Sequence, residues 1–190
     1  MPSTLQLNRF YTQEFFRSIK SILTKDGVFG FNLPGSLSYL SPALRNLNGS
    51  ILNTLKDVFY VNIIPGDFNL YISAKENFKI NPEIFLGRLK EENIQTRLLN
   101  RLHLEYRLHP RWLKWCYDSL SDYSRLRKNS DFLPSGTFYS IYYWNNIFSR
   151  RLQGLFGILD KLNFKIFIFS LFFFGLALFV VRTFIHKLKR

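Results

Sequence analysis

The side chains that could perform chemistry are few and widely separated in this sequence. Cys116 is the only cysteine, and the three histidines, His103, His109 and His186, have no spacing typical of a metal site. The sequence has no glycine-rich loop for a phosphate, and no Ser, His and Asp grouping that pairs a nucleophile with its base. We therefore predict no catalytic residue, no metal ligand and no cofactor bound by this chain alone.

The charge balance is strongly basic, with 26 Lys and Arg against 13 Asp and Glu, a net charge of +13. A basic segment at 97–128 holds eight of these cations: Arg97, Arg101, Arg107, Arg111, Lys114, Arg125, Arg127 and Lys128. Because their spacing matches no groove-reading helix, a solvated basic face is the simpler interpretation. Contact with lipid headgroups or with a protein partner stays open, and nucleic acid is not an expected partner.

Five elements in the first half of the chain follow one another as helix, strand, helix, strand and strand. Thr12 and Ser41 stand where helix N-caps are expected, each ahead of apolar residues at helical spacing. The apolar run at 28–33 favours a strand that is buried on both faces. The runs at 60–64 and 68–73 flank a turn signal and predict an antiparallel hairpin.

This order of elements is typical of the C-terminal half of an α/β sheet of the Rossmann-like, class I methyltransferase type. In such a sheet a crossover helix links two parallel strands, and the final strand returns antiparallel. We predict that residues 1–135 form a partial domain of this kind, in which the strand at 28–33 lies beside an empty position. An apolar strand with an unpaired edge promotes aggregation unless another segment covers it.

The middle of the chain predicts a helical extension. Asn81 with Pro82, and later Pro110, mark helix starts, and residues 94–98 favour a short strand between those two helices. The aromatic residues at 139–148 suit either a membrane interface or a packed helix face, so residues 136–162 are interpreted as an amphipathic connector.

A hydrophobic segment follows near the C-terminus. Residues 166–181 carry no charge, and a helix of that length spans about 24 Å, less than the roughly 30 Å of a bilayer's hydrocarbon layer. The long side chains of Lys165 and Arg182 extend it, which favours a transmembrane helix at 163–187 over a buried core helix. This predicts a membrane location, single-pass or the remnant of a multi-pass protein, with membrane lipid as a partner and the soluble part in the cytoplasm.

Four blocks of the sequence resemble consecutive segments of the membrane-fused spermidine-synthase-like proteins, in the same order. The blocks are 8–16 (NRFYTQEFF), 39–59 (YLSPALRNLNGSILNTLKDVF), 64–74 (IPGDFNLYISA) and 139–149 (YSIYYWNNIFS). The resemblance implies an aminopropyltransferase-type domain flanked by membrane helices, with decarboxylated S-adenosylmethionine as co-substrate. In that family the glycine-rich loop, the ribose-binding acid and the catalytic aspartate precede the block that starts here at Asn8.

The same resemblance implies a substrate-binding role for four residues: Tyr11, Pro65, Gly66 and Phe68. By position, they are similar to residues that line or close the family's polyamine pocket. The implied function is that of a truncated or split polyamine-biosynthesis domain, inactive alone and completed by a chain that supplies the missing N-terminal half. The alternative is a non-enzymatic, membrane-anchored interaction protein whose basic face binds lipid or a partner.

Overall fold

The computed structural model describes residues 1–148 together with 154, 156, 158, 159, 169, 170 and 172–174. The chain divides into two compact units, Met1–Ile147 and Phe148–Arg190. Of the described residues, the first unit contains the three strands and the helices α1 to α6 described below, and all of α7 except Phe148. In the second unit the described residues are helical, and Phe172, Phe173 and Phe174 are exposed.

The first unit mixes short helices with one small sheet. In chain order its elements are α1 (Leu5–Asn8), a 3₁₀ helix (Arg9–Tyr11), α2 (Gln13–Ile22), β1 (Val28–Pro34), α3 (Pro42–Lys56), β2 (Tyr60–Ile64), β3 (Phe68–Ala74), α4 (Pro82–Glu91), α5 (Arg101–Arg107), α6 (Pro110–Ser119), a second 3₁₀ helix (Ser121–Arg125) and α7 (Ser135–Phe148).

Side-chain caps explain where three of the longer helices begin. Thr12, Ser41 and Asn81 each accept a hydrogen bond from the backbone N–H three residues later, at 3.4, 3.3 and 2.8 Å. In α3 and α4 a proline follows the cap, where its missing N–H costs no helical hydrogen bond. These starts agree with the sequence signals because a cap depends on residues that are neighbours in the chain.

The three strands form one sheet in the order β1-β3-β2, and both neighbouring pairs are antiparallel. A tight turn at 65–67 places β3 beside β2, and β1 pairs with the opposite side of β3, with Val28 facing Ala74. This corrects the predicted fold class. β1 and β2 run in the same direction, but β3 separates them, so within the described residues the fold is a mixed helix and sheet unit with a small three-stranded antiparallel sheet.

The core lies on one face of the sheet, under α2 and α3. Phe16 of α2 stacks on Phe31 of β1 with ring centroids 5.9 Å apart, and Phe31 stacks on Tyr71 of β3 at 5.1 Å. Leu47 and Ile51 of α3 are fully buried. Burial of these side chains supplies the main force that holds the helices to the sheet.

The opposite face of β1 is open, which corrects the expectation of a strand buried on both sides. Val28, Gly30 and Asn32 are exposed on that face, while Phe29 and Phe31 point toward the core and are half-buried. The strand therefore alternates as a half-buried strand does. Residues 94–98, predicted as a strand, are irregular here.

The structure also contradicts the predicted membrane location. Among the described residues, no helix is both long enough and apolar enough to cross a bilayer. The longest of the helices α1 to α7 is α3, with 15 residues, whereas a membrane span needs about 20. Most of the range 163–187, predicted as a transmembrane helix, lies outside the described residues.

Candidate functional site

The outer edge of β1 is the first candidate site. The N–H of Gly35 donates to the carbonyl of Asp67 at 2.8 Å, as the next step of the β1-β3 ladder. Residues in an antiparallel pair of strands alternate between hydrogen-bonded and non-hydrogen-bonded positions. Counting back from Gly35, the backbone groups of Leu33, Phe31 and Phe29 therefore bond to β3. The residues between them direct their backbone groups away from β3. Val28, Gly30 and Asn32 are such residues, and so is Pro34 at the end of the strand, which has no N–H and whose carbonyl accepts from Asn48 Nδ2.

The outward backbone groups of Val28, Gly30 and Asn32 have no partner beyond the sheet. In the described part of the chain, no hydrogen bond outside the β1-β3 ladder involves the N–H or C=O of these three residues. All three residues are exposed, so their backbone groups are open to water or to another polypeptide. An edge of this kind is a template for the addition of another strand.

The outer edge of β2 is partly covered, in contrast to that of β1. The outward N–H of Ile63 donates to the hydroxyl of Tyr117 on α6 at 3.3 Å. The side chain of Asn62 donates to the carbonyl of Phe78 at 2.9 Å and ties the following loop to the same strand. Burial raises the pKa of the Tyr117 hydroxyl, so the group stays protonated at neutral pH. The two edges of this sheet therefore differ in their availability to a partner.

Tyr11 packs on the edge strand. Its ring meets the ring of Phe31 edge to face at 5.4 Å, and its hydroxyl accepts a hydrogen bond from the amino group of Met1 at 3.0 Å. Burial raises the pKa of Tyr11 and lowers that of the Met1 amine. These contacts account for Tyr11 as a packing residue beside β1.

Pro65 and Gly66 form the buried turn of the β2-β3 hairpin. The N–H of Gly66 donates to the Asn69 side chain at 3.3 Å, and the guanidinium of Arg107 lies against Gly66. Phe68 begins β3 and is 62% exposed. These contacts are typical of a hairpin turn that packs against neighbouring residues.

The four residues expected to bind substrate are thus divided between two places. No hydrogen bond or ring contact in the described part of the chain joins Tyr11 to the 65–68 turn. Their substrate-binding role stays a prediction of the resemblance.

Nucleophilic or metal chemistry gains no support from the described residues. They contain no cluster of His, Cys, Asp and Glu that could hold a metal ion. Cys116 is buried on α6, and burial raises the pKa of its thiol to about 12. A thiol with that pKa is protonated at neutral pH and is a poor nucleophile.

The basic segment at 97–128 is partly neutralised by ion pairs. Lys114 pairs with Asp118 at 2.7 Å, and Lys128 pairs with Asp57 at 2.6 Å. The hydrogen bond from Lys128 is the main reason that the pKa of Asp57 is lowered. Further pairs join Arg101 to Glu83 and Glu105, and Arg125 to Asp122. Arg101, Lys114, Arg125 and Lys128 therefore have acidic partners, as cations on a solvated protein surface often do.

Two features of this site were missed by the sequence analysis. The open face of β1 is visible in the alternation of Phe29, Gly30, Phe31 and Asn32, which the overall apolarity of the run concealed. Tyr117 is different, because nothing in its local sequence shows that it reaches the edge of a strand more than fifty residues earlier.

The comparisons with known proteins give no relative. Neither the protein-family models nor the curated proteins contain a match to this chain. Family evidence therefore gives no support for describing it as spermidine-synthase-like or as part of polyamine biosynthesis, and that description is corrected to a mixed helix–sheet domain with an open strand edge.

Proposed function

We propose that this chain is one part of a split protein and that it accepts a β-strand from a second polypeptide along the outer edge of β1. The observation that carries the proposal is the contrast between the two edges of the sheet. On β1 the backbone groups of Val28, Gly30 and Asn32 form no hydrogen bond outside the sheet ladder in the described residues. On β2 the outward N–H of Ile63 is bonded by Tyr117.

The energetics favour an added strand. Each backbone hydrogen bond contributes a net of about 0.5–1.5 kcal/mol, and the three outward residues offer three donors and three acceptors. A strand in this position also covers Phe29 and Phe31, which are half-buried. Natural sheets block free edges with charged residues, yet residues 28–33 (VFGFNL) contain none.

The second polypeptide is the one that the resemblance implies, namely a chain that supplies the missing half. Such a chain fits the open edge if it presents an extended segment whose backbone N–H and C=O groups can pair with those of β1. Nucleoside binding and catalysis then belong to that partner, and decarboxylated S-adenosylmethionine as co-substrate stays a prediction of the resemblance. The function of the present chain is to complete and position the fold of its partner.

Amide hydrogen exchange of the full chain tests strand acceptance directly. The probe is a capped synthetic peptide of alternating valine and threonine, which favours the extended conformation. We expect the peptide to slow exchange at Val28, Gly30 and Asn32, whose N–H groups point outward. Phe29 and Phe31 serve as internal controls, because their N–H groups are already bonded to β3. Unchanged exchange at the outward residues over the whole titration contradicts the proposal.

A second measurement asks whether the partner is the missing half of an enzyme. Calorimetry with methylthioadenosine is carried out on this chain, on the polypeptide of the neighbouring upstream reading frame, and on both together. Binding that needs both polypeptides supports the split domain, whereas binding by this chain alone contradicts it. If strand acceptance occurs but no combination binds the nucleoside, the chain is a non-enzymatic interaction module.

A further inference from the structure

An apolar cleft of about 420 Å³ lies between α4 and the open face of the sheet. Ile72 and Ala74 of the central strand β3 form part of its wall, and Ile84 and Phe85 of α4 form another part. The edge strand β1 contributes Gly30 as well as Val28. The cleft is therefore built partly from the same strand whose outer edge is unpaired.

Gly30 opens this cleft toward the edge of the sheet. Its backbone has no positive φ angle, so the strand conformation does not require glycine at this position. A Cβ atom there would lie 3.3 Å from the carbonyl oxygen of Tyr71, a close contact that requires a shift of a few tenths of an ångström. Glycine weakens a strand and often marks the close approach of another group. Here the missing side chain leaves a notch between Val28 and Asn32.

We propose that the cleft receives a large apolar side chain, best an aromatic one, from the strand that adds to β1, at the position opposite Gly30. This inference rests on the proposed strand acceptance and names the chemistry of the partner. Side chains of an added strand alternate between faces, so the residue opposite Gly30 points to the same face as the cleft. Pairing an aromatic residue with an edge glycine compensates for the missing side chain, and pockets beside an added strand provide specificity.

The charges around the cleft define a second property of the partner. Lys25, Lys79 and Arg88 line it together with Asp26 and Glu76. Lys25 lies 3.7 Å from Glu76, whereas Lys79 and Arg88 form no ion pair within the described part of the chain. A carboxylate near the aromatic residue of the partner strand would complement these two cations. The partner segment is therefore apolar opposite Gly30 and acidic beside that position.

Synthetic strand peptides that differ at one central position test this inference. The central residue is phenylalanine or serine, and a flanking residue is glutamate or glutamine. Burial of the phenylalanine ring predicts binding about tenfold to a hundredfold tighter than with serine, measured by calorimetry on the full chain. Gly30→Leu fills the notch and abolishes this preference. Asn32→Leu adds the same side chain to the same face outside the cleft lining and preserves the preference.

Two further variants keep the test independent of any folding defect in the glycine variant. Ile84→Ser removes part of the apolar wall from the exposed side of α4 and reduces the preference for phenylalanine. Arg88→Gln weakens binding of the glutamate peptide but not of the glutamine peptide.

The outcomes separate this inference from the proposed function. If the peptides slow amide exchange along β1 but phenylalanine and serine bind equally, strand acceptance stands and the cleft inference is wrong. Equal loss of preference in Gly30→Leu and Asn32→Leu also overturns the cleft inference. If no peptide changes exchange along β1, both proposals fail.

Discussion

The buried side chain of Asn48 offers the sharpest test of how this unit is held together. Its Oδ1 accepts from the Tyr71 hydroxyl at 2.8 Å and from Asn69 Nδ2 at 3.0 Å. Its Nδ2 donates to the carbonyls of Pro34 and Leu44 at 3.0 and 2.9 Å. One fully buried amide thus joins α3 to β3 and to the end of β1.

Asn48→Leu keeps a similar volume but removes these hydrogen bonds. It leaves the buried Asn69 amide and the Pro34 carbonyl without this partner, and the Tyr71 hydroxyl keeps only its longer bond, 3.4 Å, to the Asn48 backbone carbonyl. Each buried group left unsatisfied costs about 1–3 kcal/mol, so the free energy of unfolding should fall by about 2–6 kcal/mol. Tyr71→Phe is the matched control, because it removes one donor while Asn48 keeps its bond from Asn69. Its expected cost is about 1 kcal/mol.

Urea unfolding, monitored by tryptophan fluorescence, measures the difference in stability between the Asn48→Leu and Tyr71→Phe variants. The three tryptophans, Trp112, Trp115 and Trp144, all belong to the Met1–Ile147 unit, so their emission reports on the unit that contains the network. The midpoints are compared at equal slopes, because a changed slope would indicate a changed unfolding transition. An Asn48→Leu variant that is no less stable than Tyr71→Phe would refute the reasoning. Partial recovery of stability on adding Tyr71→Phe to Asn48→Leu would support it, since one poorly satisfied donor is then removed.

Three other perturbations have defined outcomes. Gly35→Ala should lower the free energy of unfolding in urea by about 1–3 kcal/mol, because its Cβ would overlap the buried side chain of Asn69 and the carbonyl of Gly66. Gly66→Ala should lower it less, because its Cβ would meet only the movable end of the Arg107 side chain. Cys116 should react with a thiol reagent only as fast as the fold opens. Because burial raises the pKa of Cys116 to about 12, the unfolded chain loses the thiol proton first, and the free energy of unfolding should fall as pH rises above the ordinary thiol pKa. An equally steep loss in Cys116→Ala and in the parent protein would contradict this. Asn32→Lys should weaken strand-peptide binding by placing a charge at the β1 edge, and unchanged affinity in calorimetry would contradict the assigned edge.

Local sequence accounts for much of the secondary structure in the first unit. Thr12, Ser41 and Asn81 cap helices where they were expected, because capping and turn formation depend on residues within a few positions of each other. The same reasoning was wrong for residues 94–98, which have strand-forming residues but no strand to pair with. A strand needs a neighbour, and its own sequence does not supply one.

The predicted transmembrane helix rested on the apolar composition of one segment. The uncharged run at 166–181 satisfies a hydropathy argument, yet no helix among the described residues has the length and apolar character of a membrane span. The membrane location inferred from that run is therefore corrected.

The sequence by itself determined the basic charge, the single cysteine, the helix caps and the positions of the three strands. Only the tertiary structure decided that β3 lies between β1 and β2, that Tyr117 bonds to the edge of β2, and that Gly30 opens a cleft beside an unpaired edge. The physical reason is distance along the chain. Caps and turns follow from neighbouring residues, whereas strand order and edge exposure depend on which distant segments pack together, and the free energies of those competing packings are not encoded in any one segment.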